Sequence, residues 1–382
     1  MKERKLAVCL YKYFPFGGLA RDFLRIMTIC HERGYKIDVF VMEWQGEIPA
    51  GFNVHIMPTS GWTNHGKVAS YIKQITPKLN SGDYDLVIGF NKIPHLDLYY
   101  AADPCYLDRV KSQSGYLFKQ LSGRVRFYTA GERAVFGAES STISLMISDV
   151  QCELFKQHYA IPESRLIMLP PGIDEGRRRP DNWQSIRQEF RQEFSVPDEH
   201  FILLMVGTGF KTKGLDRAII ALADLPQTIR KQCHLFVVGD GDTEPYQRLA
   251  KQYGVAEQVC FFGGRTDVPR FLLGADVLLH PARKDNTGTV ILEAIVAGLP
   301  VLVTDVCGYA KYVTQAQAGL VVSSPFNQAD FAGQLMQVLQ QDSLLKWSKN
   351  ALDYAASEDL YSMPEKVADI IDQMVESKDK HD

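Results

Sequence analysis

Short apolar runs rich in β-branched residues alternate along this chain with longer stretches whose apolar positions recur at three- and four-residue spacing. The first pattern suits strands buried on both faces and the second suits amphipathic helices. In the first half, Leu6–Tyr11, Ile37–Met42, Leu86–Phe90 and Ile143–Ile147 read as strands. Leu19–Arg33 reads as a helix, with Gly34 at its C-terminal stop. In the second half the strand runs are Phe201–Val206, Leu235–Val238, Val259–Phe262, Val277–His280, Val301–Thr304 and Leu320–Val322. Helical patterns lie between them, among them Leu215–Ala223 and Thr289–Ala297. Regular alternation of this kind predicts an α/β chain built on parallel sheets.

The alternation breaks at Pro170–Ile173, PPGI, a stiff turn followed by the polar stretch Asp174–His200 with no strand pattern. This predicts two α/β domains, residues 1–172 and 173–359. In Pro364–Ser377, Val367, Ile370, Ile371 and Met374 share one helical face. The terminal helix, about residues 360–382, is therefore expected to pack on a domain, with the first as the expected partner. No short-period repeat interrupts the chain.

A length of 382 residues allows a substantial core in each domain, and 46% hydrophobic with 23% charged residues is ordinary for a globular chain. The net charge of −3 argues against a general polyanion binder but leaves room for a local basic patch. Seven cysteines are scattered without a CxxC pair, which predicts reduced core thiols of a cytosolic protein. The basic Lys2–Lys5 is followed by an apolar run too short for a signal peptide, and no run approaches the roughly 20 residues of a membrane span.

Candidate chemistry sits in the loops. In FPFGGLARDF, Phe14–Phe23, the pair Gly17–Gly18 lets backbone approach a ligand at a helix start, and Asp22 lies near enough to take part or to complement the helix dipole. The loop is not GxGxxG, which excludes a dinucleotide fingerprint. VGTGFKTKGLDR, Val206–Arg217, repeats the strand–glycine–helix design and adds Lys211 and Lys213, a diphosphate clamp. FGGRTDV, Phe262–Val268, offers Arg265 to a base or phosphate, or else a turn held by Asp267. Arg177 is a further phosphate candidate. RKDNTGTVILE, Arg283–Glu293, flanks a small-residue turn with Asp285 and Glu293, acids suited to vicinal sugar hydroxyls beside a helix start suited to phosphate. Of two D-x-D triplets, Asp83–Asp85 precedes a strand and so lies at the wrong sheet edge, and Asp240–Asp242 reads as a turn rather than a metal site. Arg109–Arg133 carries six basic residues against Glu132, with Tyr116, Phe118, Phe127 and Tyr128 interleaved. That composition points to an anionic membrane surface or an anionic lipid-linked substrate. A nucleic-acid reading rests on this segment alone.

Asp285, seven intervening residues, Glu293 and then AGLPVLVTDVCGYA, Ala297–Ala310, resemble the E-x7-E motif of the family-4 retaining glycosyltransferases. LYKYFPFGGLARDF, GFNKIPHLDLYYAAD and LYSMPEKVADII resemble the lipopolysaccharide core glucosyltransferase I group, over nearly the whole chain. The resemblance implies the GT-B fold, two Rossmann-like parallel-sheet domains facing each other across a cleft. It implies a bacterial enzyme that moves a hexose, with UDP-glucose the leading donor, onto an inner-core heptose of lipopolysaccharide. Such an enzyme works as a peripheral protein on the cytoplasmic face of the inner membrane, with neither cofactor nor metal. By resemblance, Gly17, Gly18 and Asp22 border the donor sugar, and Lys213, Thr212 and Arg177 hold the diphosphate. Arg265 lies near the uracil, Thr287, Gly288, Thr289 and Val290 present backbone N–H groups, and Glu293 binds ribose. Asp285 stands one methylene short of the usual Glu against the sugar, and Asp103 stands where the family often has a histidine. The implied catalytic set is Asp22, Lys213, Asp285 and Asp103. Arg109, Lys111, Lys119, Arg124 and Arg126 are the expected membrane contacts. The alternatives are another UDP-sugar or lipid-linked acceptor, and a binding or scaffold protein with weakened catalysis.

Overall fold

The computed structural model describes residues 4–15, 17–113 and 115–380. Lys2 of the basic start and Phe16 of the first glycine loop lie outside the described residues, and of Tyr116 only the backbone is described. The chain divides into two compact units, Met1–Gly172 with Tyr361–Asp382, and Ile173–Leu360.

The sheet of unit 1 contains β1 (Lys5–Tyr13), β2 (Lys36–Trp44), β3 (Phe52–Ile56), β4 (Leu86–Gly89), β5 (Leu98–Ala101), β6 (Ile143–Met146) and β7 (Leu166–Met168). All pairings are parallel, in the order β3-β2-β1-β4-β5-β6-β7. Unit 2 contains β8 (Phe201–Val206), β9 (Cys233–Val238), β10 (Val259–Phe261), β11 (Val277–His280), β12 (Val301–Thr304) and β13 (Gly319–Val322). Its sheet is also parallel, ordered β10-β9-β8-β11-β12-β13. Each unit is thus doubly wound, and strand order reverses between β1 and β4 and between β8 and β11. Ligands of open parallel sheets bind at such reversals, beyond the carboxyl ends of the strands.

The central strands are apolar without alternation because helices cover both faces: Leu6 to Leu10 and Ile202 to Leu204 are buried at every position. Three strands fall outside the expected runs. β3 alternates and leaves Ile56 exposed, β5 is half aromatic, and β7 is a three-residue edge strand. The polar stretch after the PPGI turn forms the helix Trp183–Glu193, whose Arg187 and Arg191 clamp Asp276 ahead of β11. The terminal helix Met363–Asp379 lays Val367, Ile371 and Val375 into the core that Phe23, Ile26 and Met27 occupy in unit 1. Arg33 fixes its outer face through Asp369 at 2.9 Å and Asp372 at 2.6 Å.

Candidate functional site

The strand reversal in unit 2 brings together loops that are far apart in sequence. After β8, Gly209 and Gly214 adopt left-handed backbone around the short helix Phe210–Lys213. Gly214 has no substitute: at φ +77° a Cβ there would lie 2.0 Å from the Pro281 carbonyl. That close approach sets the β8 loop against the chain leaving β11. The Arg283 N–H donates to the Thr212 carbonyl at 2.8 Å, and the Arg217 guanidinium donates to the carbonyls of Pro281 and Ala282. Thr212 therefore contributes its backbone to the scaffold.

Lys213 reaches across this junction to Asp285 and donates to Oδ2. His280, the last residue of β11 and almost fully buried, contacts the same oxygen through Nε2 at 2.7 Å. An ionised carboxylate only accepts, so Nε2 carries the hydrogen. Burial raises the Asp285 carboxyl, but the His280 hydrogen bond and the Lys213 charge outweigh it and hold the pKa at about 2. Asp285 is thus an anion with an ammonium fixed to it. Sequence reading missed His280. The available signal was a histidine closing an apolar strand just before a predicted site acid.

Gly288 caps the following helix, Thr289–Ala297, at φ +77° and offers no side chain to its first N–H groups. A Cβ at Gly288 would sit 2.7 Å from Ile291 and 3.3 Å from Asp285 Oδ2. Glycine here keeps the carboxylate and the helix start side by side. The helix is buried along Val290–Ala297, Glu293 included. A buried carboxylate needs partners, and Arg177 Nε lies 3.9 Å from Glu293 Oε1. Arg177 Nη1 is buried with no hydrogen-bond partner among the described residues, a guanidinium donor open to an incoming acceptor. Lys213, Asp285, Thr287, Gly288, Thr289 and Val290 are thereby assembled around one helix start, with Arg177 beside Glu293 farther along it.

Arg265 is placed otherwise. It follows β10 and forms a two-pronged pair with Asp267, each contact 2.8 Å. The Asp240 carboxylate accepts from the Gly264 N–H and Asp242 from the Glu244 N–H, so this triplet builds turns. Asp85 accepts from the Lys5 N–H at the amino end of β1.

In unit 1, Gly17 and Gly18 open the helix Gly18–Glu32 without a side-chain cap. Asp22 lies beyond its first turn, which removes the simple dipole role. It accepts a 2.8 Å bond from the Tyr100 hydroxyl. Burial pushes its carboxyl up to about 6, against that hydrogen bond and the charges of Arg21 and Arg25. At the β4 end, Asn91 accepts from the Tyr11 N–H at 2.7 Å and donates to Asp103 at 3.3 Å. Glu132, counted in the sequence only as the one acid in a basic segment, is fully buried. It accepts from Lys92 Nζ, the Tyr106 and Leu107 N–H groups and the Tyr159 hydroxyl. Arg109 and Lys111 lie on the helix Tyr106–Lys111, Lys119 on Tyr116–Lys119, and Arg124 and Arg126 on Gly123–Phe136. Phe118 and Leu121 are strongly exposed among them. Among the described residues no helix is long and apolar enough to cross a membrane.

Residues 186–354 match the model of the family described as glycosyl transferases group 1. The chain is 44% identical over 367 residues to the lipopolysaccharide glucosyltransferase WaaG of Escherichia coli strain K12, covering 96% of this chain and 98% of that protein. The crystal structure of WaaG, a glycosyltransferase involved in lipopolysaccharide biosynthesis, superposes with a TM-score of 0.90 over 96% of this chain and 99% of that one. Anabaena Alr3699/HepE in complex with UDP-glucose superposes with a TM-score of 0.74 over 97% of this chain and 99% of that one; at 16% identity it shares the fold alone.

Proposed function

The chain belongs to the lipopolysaccharide glucosyltransferase family within the group 1 glycosyltransferases, and on that premise we propose that it transfers glucose from UDP-glucose to a heptose hydroxyl of the lipid-linked core, with retention at the transferred carbon. The observation that carries this reading is the Lys213–Asp285–His280 cluster beside the uncapped start of helix Thr289–Ala297. As the bond between sugar and diphosphate breaks, negative charge builds on the leaving oxygen. Lys213 and the free helix N–H groups are the donors suited to take it. Asp285 keeps the ammonium in place and offers its remaining lone pairs to sugar hydroxyls. Glu293 suits the ribose hydroxyls, and the unpartnered Nη1 of Arg177 suits a phosphate oxygen.

Among the described residues around the start of helix Thr289–Ala297, no pair of carboxylates is set out for a double displacement. The new bond therefore forms on the face the leaving group vacates, and the acceptor proton passes to the departing phosphate. The chemistry is assigned without a metal. His280, Asp285 and Cys307 bring ligand atoms within 4.8 Å of one another. Lys213, however, already places a positive charge on the Asp285 oxygen that a cation would take. Exposed Phe118 and Leu121 among the basic residues support peripheral contact with the anionic inner face of the inner membrane. The test is UDP release with heptose-terminated lipopolysaccharide in EDTA, with UDP-galactose, UDP-N-acetylglucosamine and UDP-N-acetylgalactosamine run in parallel. Acceptor-dependent release with UDP-glucose is expected. Release only with another donor, or only after added metal, overturns the assignment.

A further inference from the structure

Unit 1 contains a cavity of about 560 Å³ at the carboxyl ends of β1, β4 and β5. Aromatic side chains, Tyr11, Tyr106, Phe127 and Tyr128, form much of its wall. The Tyr106 and Tyr128 rings lie 5.2 Å apart and Phe127 meets Tyr128 edge-on at 5.4 Å, so the wall is a packed cluster. Arg109 and Arg124 also line the cavity. Arg109 rests on the Tyr106 ring at 4.7 Å, and neither arginine has a carboxylate partner among the described residues. The acids present are differently placed. Glu132 is saturated by four donors and neutralised by Lys92 at 2.6 Å. Asp103 accepts one bond from Asn91 and keeps lone pairs for hydroxyls.

Aromatic faces, one hydroxyl-accepting carboxylate and two uncompensated guanidinium groups describe a site for a sugar that carries an anionic group. We propose that this cavity binds an anionic sugar of the acceptor oligosaccharide, its ring against the aromatic wall and its phosphate or carboxylate paired with Arg109 and Arg124. The idea rests on the glycosyltransferase reading and adds to it what the acceptor must carry. It also divides the basic segment by task. Arg109 and Arg124 line the cavity, whereas Lys111, Lys119 and Arg126 do not and remain available to a membrane surface. A bilayer presents a broad plane and does not enter a recess of this size, whereas pockets of this volume suit small ligands.

The experiment measures binding apart from transfer. Delipidated heptose-terminated core oligosaccharide is titrated calorimetrically into the wild type, Arg109→Gln, Arg124→Gln and the double variant. The same oligosaccharide is also used after phosphatase treatment or carboxyl reduction, to tell phosphate from carboxylate. Far-UV circular dichroism and the thermal unfolding midpoint report that unit 1, which carries the substitutions, is folded in each variant, and flotation with phosphatidylglycerol vesicles reports the membrane arm. The double variant is expected to bind the untreated oligosaccharide at least ~10-fold more weakly, since bonds to charged groups are the stronger ones. Its affinity for the matching treated form should change little. Lys111→Gln with Lys119→Gln should instead weaken flotation and spare oligosaccharide binding. Equal oligosaccharide affinity in wild type and double variant, or a loss confined to flotation, overturns the proposal. If wild type binds the oligosaccharide through these arginines yet releases no UDP, the transferase assignment fails and the pocket assignment stands.

Discussion

Replacing Asp22 by Asn should stabilise unit 1 at neutral and alkaline pH and do nothing comparable in acid. Asp22 belongs to the helix Gly18–Glu32, and burial lifts its carboxyl from 3.8 to about 6. A carboxyl whose folded-state pKa is raised contributes stability below its unfolded pKa and loses it as pH rises through the folded value. At pH 8 the full shift corresponds to roughly 3 kcal/mol at 1.36 kcal/mol per unit. Partial exposure of the side chain trims this to about 1–3 kcal/mol. Asn keeps an oxygen to accept from the Tyr100 hydroxyl and has no charge to desolvate. The difference in unfolding free energy, variant minus wild type, should therefore grow by about 1–3 kcal/mol between pH 4 and pH 8, with its midpoint between 3.8 and about 6. For a unit of this size that is about 2–4 °C in Tm per kcal/mol. Thermal and urea unfolding of both proteins across this range reads it, because every other titrating group is common to the pair. A difference that is flat, or that shrinks with rising pH, would refute the reasoning.

Lys213→Ala should cut UDP release by about 10²–10³-fold at saturating acceptor, as expected for loss of a donor to developing charge; turnover near wild type removes it from the clamp. His280→Gln should lower kcat more than it weakens UDP binding, because His280 acts by fixing Asp285; a selective loss of UDP affinity would place it on the nucleotide instead. Glu132→Gln leaves Lys92 with an uncompensated buried charge and should destabilise unit 1 by about 3–5 kcal/mol, read by urea unfolding; an effect under about 1 kcal/mol would mean the network is open to water.

The strands flanking the reversal in unit 2 were legible because helices cover both of their faces. Phe201–Val206 reads as an uninterrupted apolar run and Val277–His280 as an apolar run closed by a histidine, and both strands appear with those bounds. β3 and β7 were not, since an edge strand needs only one buried face and β7 is three residues long. The glycine loops and the acids Asp285 and Glu293 were legible as residue types at known spacing. Their partners were not. Glu132 is saturated by donors from three other segments, 25 to 40 positions away, and no local pattern records such convergence. The basic segment illustrates the same limit, since its composition announces charge but only the fold separates cavity-lining arginines from the rest.

The acid at position 285 shows how the fold adjusts to a residue type. One methylene shorter than Glu, Asp285 cannot extend as far from the sheet edge, and its carboxylate stays against the end of β11. There His280 and Lys213 meet it on a single oxygen, and the isolated parallel bridge between Asp285 and Cys307 ties its backbone to the chain beyond β12. A carboxylate fixed on that oxygen presents the other in a defined direction, whereas a longer side chain reaches farther with more rotamer freedom. The short acid thus exchanges reach for fixed orientation, and His280 is what makes the exchange possible. It follows that position 285 and position 280 act as a pair. Asp285→Glu alone should disturb the site more than its conservative chemistry suggests, because the longer side chain would push its carboxylate off His280 and leave that buried imidazole without its acceptor.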